Sequence, residues 1–304
     1  APGERILWGR PTAEAATRRG GAPPTGRLTA AMPPVAAAVV PHPPLLVPGL
    51  AGAAAGELDP LRAACGQALA AVLAAVDLMV LVGDGPVWGV PGPSAPGSFR
   101  PYGADVEVTL PTLVDLDLPG LPPPARLDEL PLSLAVAAHL LADLDAPPSR
   151  LFAATVPPTL GPGAAAAIGR ALTPGDRARN AGRAAGGGRV GLVAMGDLSA
   201  CRTERAPGAF RPEAARFDAS VAEAFRTGTP ERLLDLDPAQ AAELLVAGRV
   251  PLQVLAGACD PGPAVRDQGP GEDAANGGSP LHGRVLYEDA PYGVGYLVAI
   301  LTAP

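Results

Sequence analysis

The sequence predicts a single α/β domain, with a mostly parallel or mixed central sheet and helices on both faces. Three observations carry this. Short apolar runs, "VAAAVV" (35–40), "DLMVLVG" (77–83), "RLFAATV" (150–156) and "RVGLVAM" (189–195), suit strands buried on both sides. Segments with helical spacing separate them. The strand-like runs also lead into polar or proline-rich turns, as in sheets whose strands alternate with helices.

Residues 1–31 are rich in Gly, Pro, Thr and Arg without a sustained period, and read as a flexible N-terminal extension. A chain starting at Met32 is therefore expected to melt within a few degrees of the full chain; a large drop in a thermal melt would place the boundary elsewhere. The domain is expected over 32–304. After the first strand, Leu58, Leu61, Cys65, Ala68, Leu69, Val72, Leu73 and Val76 have helical spacing. Residues 84–104 read as a Gly/Pro loop, and "DVEVTL" (105–110) alternates like a strand. Residues 130–144 predict a helix with Pro131 near its first turn. The strand at 150–156 and a short helix at 162–172 follow. After the 189–195 strand comes the polar turn "GDLS" (196–199). Phe217, Val221 and Phe225, four apart, mark an amphipathic helix over 212–226, and further helices run to about Cys259. Residues 260–283 read as a low-complexity loop, and "RVLYED" and "YGVGYLVAIL" as two closing strands.

Composition narrows the function classes. All 23 basic residues are arginine, the formal charge is −7 and aromatics make up 4 %, which argues against a nucleic-acid partner. No apolar run approaches the roughly 20 residues a bilayer span needs. The first thirty residues lack the apolar core of a secretory signal. The expectation is a cytoplasmic protein with no membrane partner. Cys65, Cys201 and Cys259 form no C-x-x-C pair, so they read as reduced thiols rather than zinc ligands.

No G-x-S-x-G elbow, Walker A loop or G-x-G-x-x-G fingerprint occurs, and "AGGGRVG" (185–191) precedes a strand instead of following one. His42, Asp84 and Asp197 do follow strands, where α/β sheets bind ligands. The sequence "PHPPLLVPG" (41–49) after a buried strand resembles the opening of the class III (LigB-type) extradiol dioxygenases and the related Memo-like proteins. "DLMVLVGDGP" (77–86), "VGLVAMGDLSA" (190–200), residues 233–258 and "PYGVGYLVAI" (291–300) resemble later stretches of that superfamily, so the resemblance spans about 33–301.

The resemblance implies a LigB/Memo-like domain in which His42 is a ligand of a non-haem metal, usually Fe(II). It also implies a carboxylate third ligand, for which Glu243 is the candidate. The family's second histidine is replaced by Gly85 or Pro86, leaving Asp84 as the substitute ligand. The acid/base histidine is replaced by Ala200, and the cysteine of Memo-like relatives by Ala247. Such a site needs two imidazoles and a carboxylate on one face. The implied cofactor is thus Fe(II) or another divalent metal, or none. The expected pocket is lined by His42, Asp84, Asp197, Ser199 and Cys201.

Two functions stay open at this point. One is a diverged dioxygenase-like protein that binds a metal without cleaving catechol rings; the other is a non-enzymatic ligand-binding or scaffold protein on the same fold. A small-molecule ligand and a homo-oligomer are compatible with both. Each residue also has a plainer role: His42 a packed loop histidine, Asp197 an Asx-turn or helix cap, and Glu243 a solvated helix face. His139 reads as a core or edge residue and His282 as solvated. Arg202, Glu204 and Arg205 read as surface charge, or as a lip that holds an anion.

Overall fold

The four apolar runs form β1 (Ala36–Val40), β2 (Leu78–Asp84), β7 (Leu151–Val156) and β8 (Val190–Met195), mutually parallel at the centre of one sheet. This computed structural model describes residues 34–173, 188–260 and 281–303. Between β2 and β7 lie four short strands: β3 (Gly89–Pro91), β4 (Pro96–Ser98), β5 (Glu107–Thr109) and β6 (Ala125–Leu127). The chain ends in β9 (His282–Asp289) and β10 (Tyr296–Thr302). The eight-stranded sheet has the order β6-β3-β7-β2-β8-β1-β10-β9, with β10 antiparallel to β1 and β9 antiparallel to β10. The fold is thus a single α/β domain with a mixed sheet.

The central strands are almost wholly apolar because each feeds two cores. Ala36, Ala38, Val40, Met79, Leu81, Val193 and Met195 face α1 (Asp59–Ala75) and α2 (Leu132–Ala142). Ala37, Val39, Val80, Val82, Leu192 and Ala194 face α3 (Pro162–Leu172), α4 (Pro212–Arg226) and α6 (Arg249–Cys259), with α5 (Pro238–Glu243) beside them. Helix α2 is apolar nearly all round because the β4–β5 hairpin covers its far side; a Cβ on Gly97 would lie 2.8 Å from that of Ala135. His139 of α2 fits the core-or-edge reading, its ring meeting Phe99 edge-on at 6.2 Å. Helices α3 and α6 approach so closely that a Cβ on Gly169 would sit 2.0 Å from the Val254 carbonyl oxygen.

Three expectations need correction. Residues 84–104 are not all loop: they carry β3, which joins the main sheet between β6 and β7, and β4, since backbone pairing needs no apolar run. Residues 107–109 do form a strand, but it pairs with β4 in a separate hairpin, since its inward residue Val108 covers α2 instead of joining the sheet. His282 and Gly283 belong to β9, where His282 pairs with Thr302; backbone pairing needs no apolar side chain, so composition hid it. His282 is exposed there, as its solvated reading requires. The extension 1–31 and the loop core 261–280 lie outside the described residues.

Parallel strands β1, β2, β7 and β8 end on one edge of the sheet. Beyond β1 the chain turns toward the α1 side, where Leu46 and Val47 join that core. Beyond β8 it turns to the opposite side, where Leu198 and Cys201 are buried. Neighbours β8 and β1 therefore part at this edge, which is where open α/β sheets form a crevice.

Candidate functional site

Within Pro41–Pro44 only His42 has a backbone N–H, because proline has none. That N–H donates to Asp197 Oδ1 at 2.7 Å, tying the turn after β1 to the turn after β8. Asp197 is held in turn from its own backbone. Gly196 N donates to the Val40 carbonyl and Gly248 N to the Asp197 carbonyl, at 2.9 and 2.8 Å. A Cβ on Gly196 would lie 2.5 Å from Gly248 Cα, so glycine is required at this crossing.

The His42 ring lies between two carboxylates. Its Nε2 is 3.1 Å from Asp84 Oδ1, and its Nδ1 is 3.9 Å from Asp197 Oδ1. Nδ1 is buried and has no hydrogen-bond partner among the described residues. Burial alone would drive the proton off the imidazole. The charge of Asp197, with the hydrogen bond and charge of Asp84, outweighs it and pushes the pKa up to about 9. Burial also raises the Asp197 carboxyl, helped by Asp84 and opposed by His42 and its N–H. His42 is thus a buried residue whose protonated form is favoured by its two carboxylate neighbours. The side chains that meet solvent are Asp84, 32 % exposed, and Asp197, 16 % exposed.

The other expected site residues lie elsewhere. Ser199 is buried and bonded to Asp218: its N–H donates to Oδ1 at 2.9 Å and its hydroxyl to Oδ2 at 2.8 Å. Arg202 Nη1 donates to the same Oδ2 at 2.8 Å, so this arginine is a structural partner and not a lip for anions. Cys201 Sγ points at the carbonyl oxygens of Gly208 and Glu243, at 3.5 and 4.0 Å, inside the core on the α4 side. Glu243 is exposed at the end of α5, because Ala241 and Leu244 take the inward positions. Among the described residues no three His, Cys, Asp or Glu side chains converge as a metal ion requires. Burial raises all three thiols, Cys259 to about 12, which disfavours the thiolate.

Two residues at this edge were missed. Asp218 was visible as a lone acid within the apolar stripe of Phe217, Val221 and Phe225. Arg249 is buried at the start of α6, where Nη1 donates to Leu160 O at 3.1 Å and Gln253 Oε1 at 2.8 Å, and Nη2 to Pro158 O. Burial lowers its pKa, Asp237 opposing. It fastens the turn after β7 to α6.

No protein-family model matches the chain, and no curated protein does. Among solved structures it is similar to an uncharacterized protein from Escherichia coli K12. The identity is 14 %, the match covers 88 % of this chain and all of that one, and the TM-score is 0.42. No helix among the described residues is long and apolar enough to cross a membrane.

Proposed function

We propose that this chain is a non-enzymatic ligand-binding protein on a dioxygenase-like α/β fold, with its ligand crevice at Asp84, His42 and Asp197. The observation that carries this reading is the placement of the His42 ring against Asp84, with its pKa held near 9. Among the described residues His42 is the one imidazole at this edge, and its Nε2 is already engaged by Asp84. The residues present therefore do not fit the two-imidazole, one-carboxylate set of a non-haem iron oxygenase. Ring cleavage also needs proton transfer at the catechol, and the methyl of Ala200 offers none.

The test is anaerobic loading with Fe(II), followed by oxygen-uptake and ring-opening assays on several catechols. Turnover is expected at the level of free Fe(II), since acid–base catalysis alone is worth about 10²–10⁴-fold and the metal geometry is lost as well. Ring opening well above that level, and abolished by His42→Ala, would overturn the reading.

A further inference from the structure

We infer that β9 is a self-complementary edge, on which a second copy of this chain pairs antiparallel and continues the sheet across a two-fold axis. The inference is independent of the crevice, which lies beyond β10, between β1 and β8. Of the two edges of the sheet, β6 has three residues and β9 has eight. Among the described residues β9 pairs with β10 alone, so the backbone groups on its outer side meet no strand. Val285, Leu286 and Tyr287 are only half-buried there. A long edge of this kind is either blocked or used, and its charges decide which.

Arg284 and Asp289 are both exposed, and a regular strand would place residues five apart on opposite faces. A bulge changes this. Tyr287 pairs with Val298 and Val285 with Ala299, which leaves Leu286 as the extra residue. Arg284 then pairs with Ile300, Tyr287 with Val298 and Asp289 with Tyr296, and these β10 residues all face the α1 side. Arg284 and Asp289 therefore share that face, each two pairing steps from Tyr287. Among the described residues Arg284 has no ion-pair or hydrogen-bond partner, and Asp289 accepts only from Ala290 N, at 2.7 Å.

A copy laid antiparallel, with its Tyr287 opposite this one, answers both charges. Arg284 meets the copy's Asp289, and Asp289 meets the copy's Arg284, on the same face of the joined sheet. On the other face Val285 meets the copy's Glu288, whose carboxylate is already held by Arg226 of its own α4. A lone charge on an edge repels a copy of itself; opposite charges at mirrored positions attract one. Sliding the copy by two residues breaks both pairs, so the charges also set the register.

The test is the mass of the full chain in solution, by light scattering on a sizing column over a range of concentrations. A dimer is expected. Arg284→Asp and Asp289→Arg should each weaken it at least about tenfold, since each sets like charges opposite one another twice. Mixing the two variants in equal amounts should restore the dimer, because a chain acidic at both positions then faces one basic at both. A merely structural role for either residue would not give that rescue. A monomer at every concentration, a dimer untouched by either reversal, or a mixture of folded variants that stays monomeric overturns the inference. Hydrogen exchange of the unaltered chain gives a second reading. The β9 amides should exchange more slowly where the dimer forms than on dilution, and equal rates overturn the inference as well.

Discussion

Replacing Asp218 with alanine is expected to cost about 3–5 kcal/mol of stability, the loss seen when one partner of a buried ion pair is removed. The carboxylate is buried and receives three donors: Ser199 N, Ser199 Oγ and Arg202 Nη1, each within 2.9 Å. Without it, two buried Ser199 groups and a largely covered guanidinium lose their partner together. Asp218→Asn keeps the acceptor oxygen and should cost less, about 1–3 kcal/mol, because Arg202 is 28 % exposed and can turn toward water. Burial raises the Asp218 pKa even though the Ser199 and Arg202 bonds lower it, so the desolvation of this charge is not fully offset. It follows that an apolar replacement of all three side chains with similar volume should be far less damaging than Asp218→Ala. Urea unfolding midpoints at constant m-value measure each variant. A loss below about 1 kcal/mol for Asp218→Ala would show that other contacts hold the "DLS" turn.

Much of the fold was legible because strands buried on both faces leave unbroken apolar runs, as 35–40 and 189–195 do. The meeting of His42, Asp84 and Asp197 was legible for a geometric reason: parallel strands end on one edge, so the residues just beyond them converge. Strand order was not, because periodicity reports which face a residue takes and not which strand lies beside it. The placement of β10 against β1 is such a case. Side-chain commitments were hidden as well. Ser199 follows Asp197 by two residues, yet it turns to Asp218, nineteen positions on in α4. Glu243 was assigned to the site from a resemblance of motifs, while the inward positions of its helix go to Ala241 and Leu244. Residue type fixed a side chain's place only where the backbone had no choice, as at Pro41–Pro44, where His42 carries the one backbone N–H and gives it to Asp197.

Raising the pH from about 6.5 to above 9 is expected to remove about 3 kcal/mol of stability through His42 alone. The imidazole pKa rises from 6.5 in the unfolded chain to about 9 in the folded protein, and each unit is worth about 1.4 kcal/mol. A group raised on folding stabilises fully below its unfolded value, and the contribution fades as pH climbs through the folded one. The loss should therefore begin near pH 6.5 and be complete above pH 9. Deprotonation removes the ion pair with Asp84 and the attraction to Asp197, leaving two neighbouring carboxylates with no cation between them. His42→Gln can still donate a hydrogen bond but carries no charge, so it should be less stable at pH 6 and show a flat profile across this window. Urea unfolding at closely spaced pH values measures both chains, and an NMR titration of the His42 ring gives the folded pKa directly. Equal slopes for the two chains would mean that the imidazole is neutral in the folded protein.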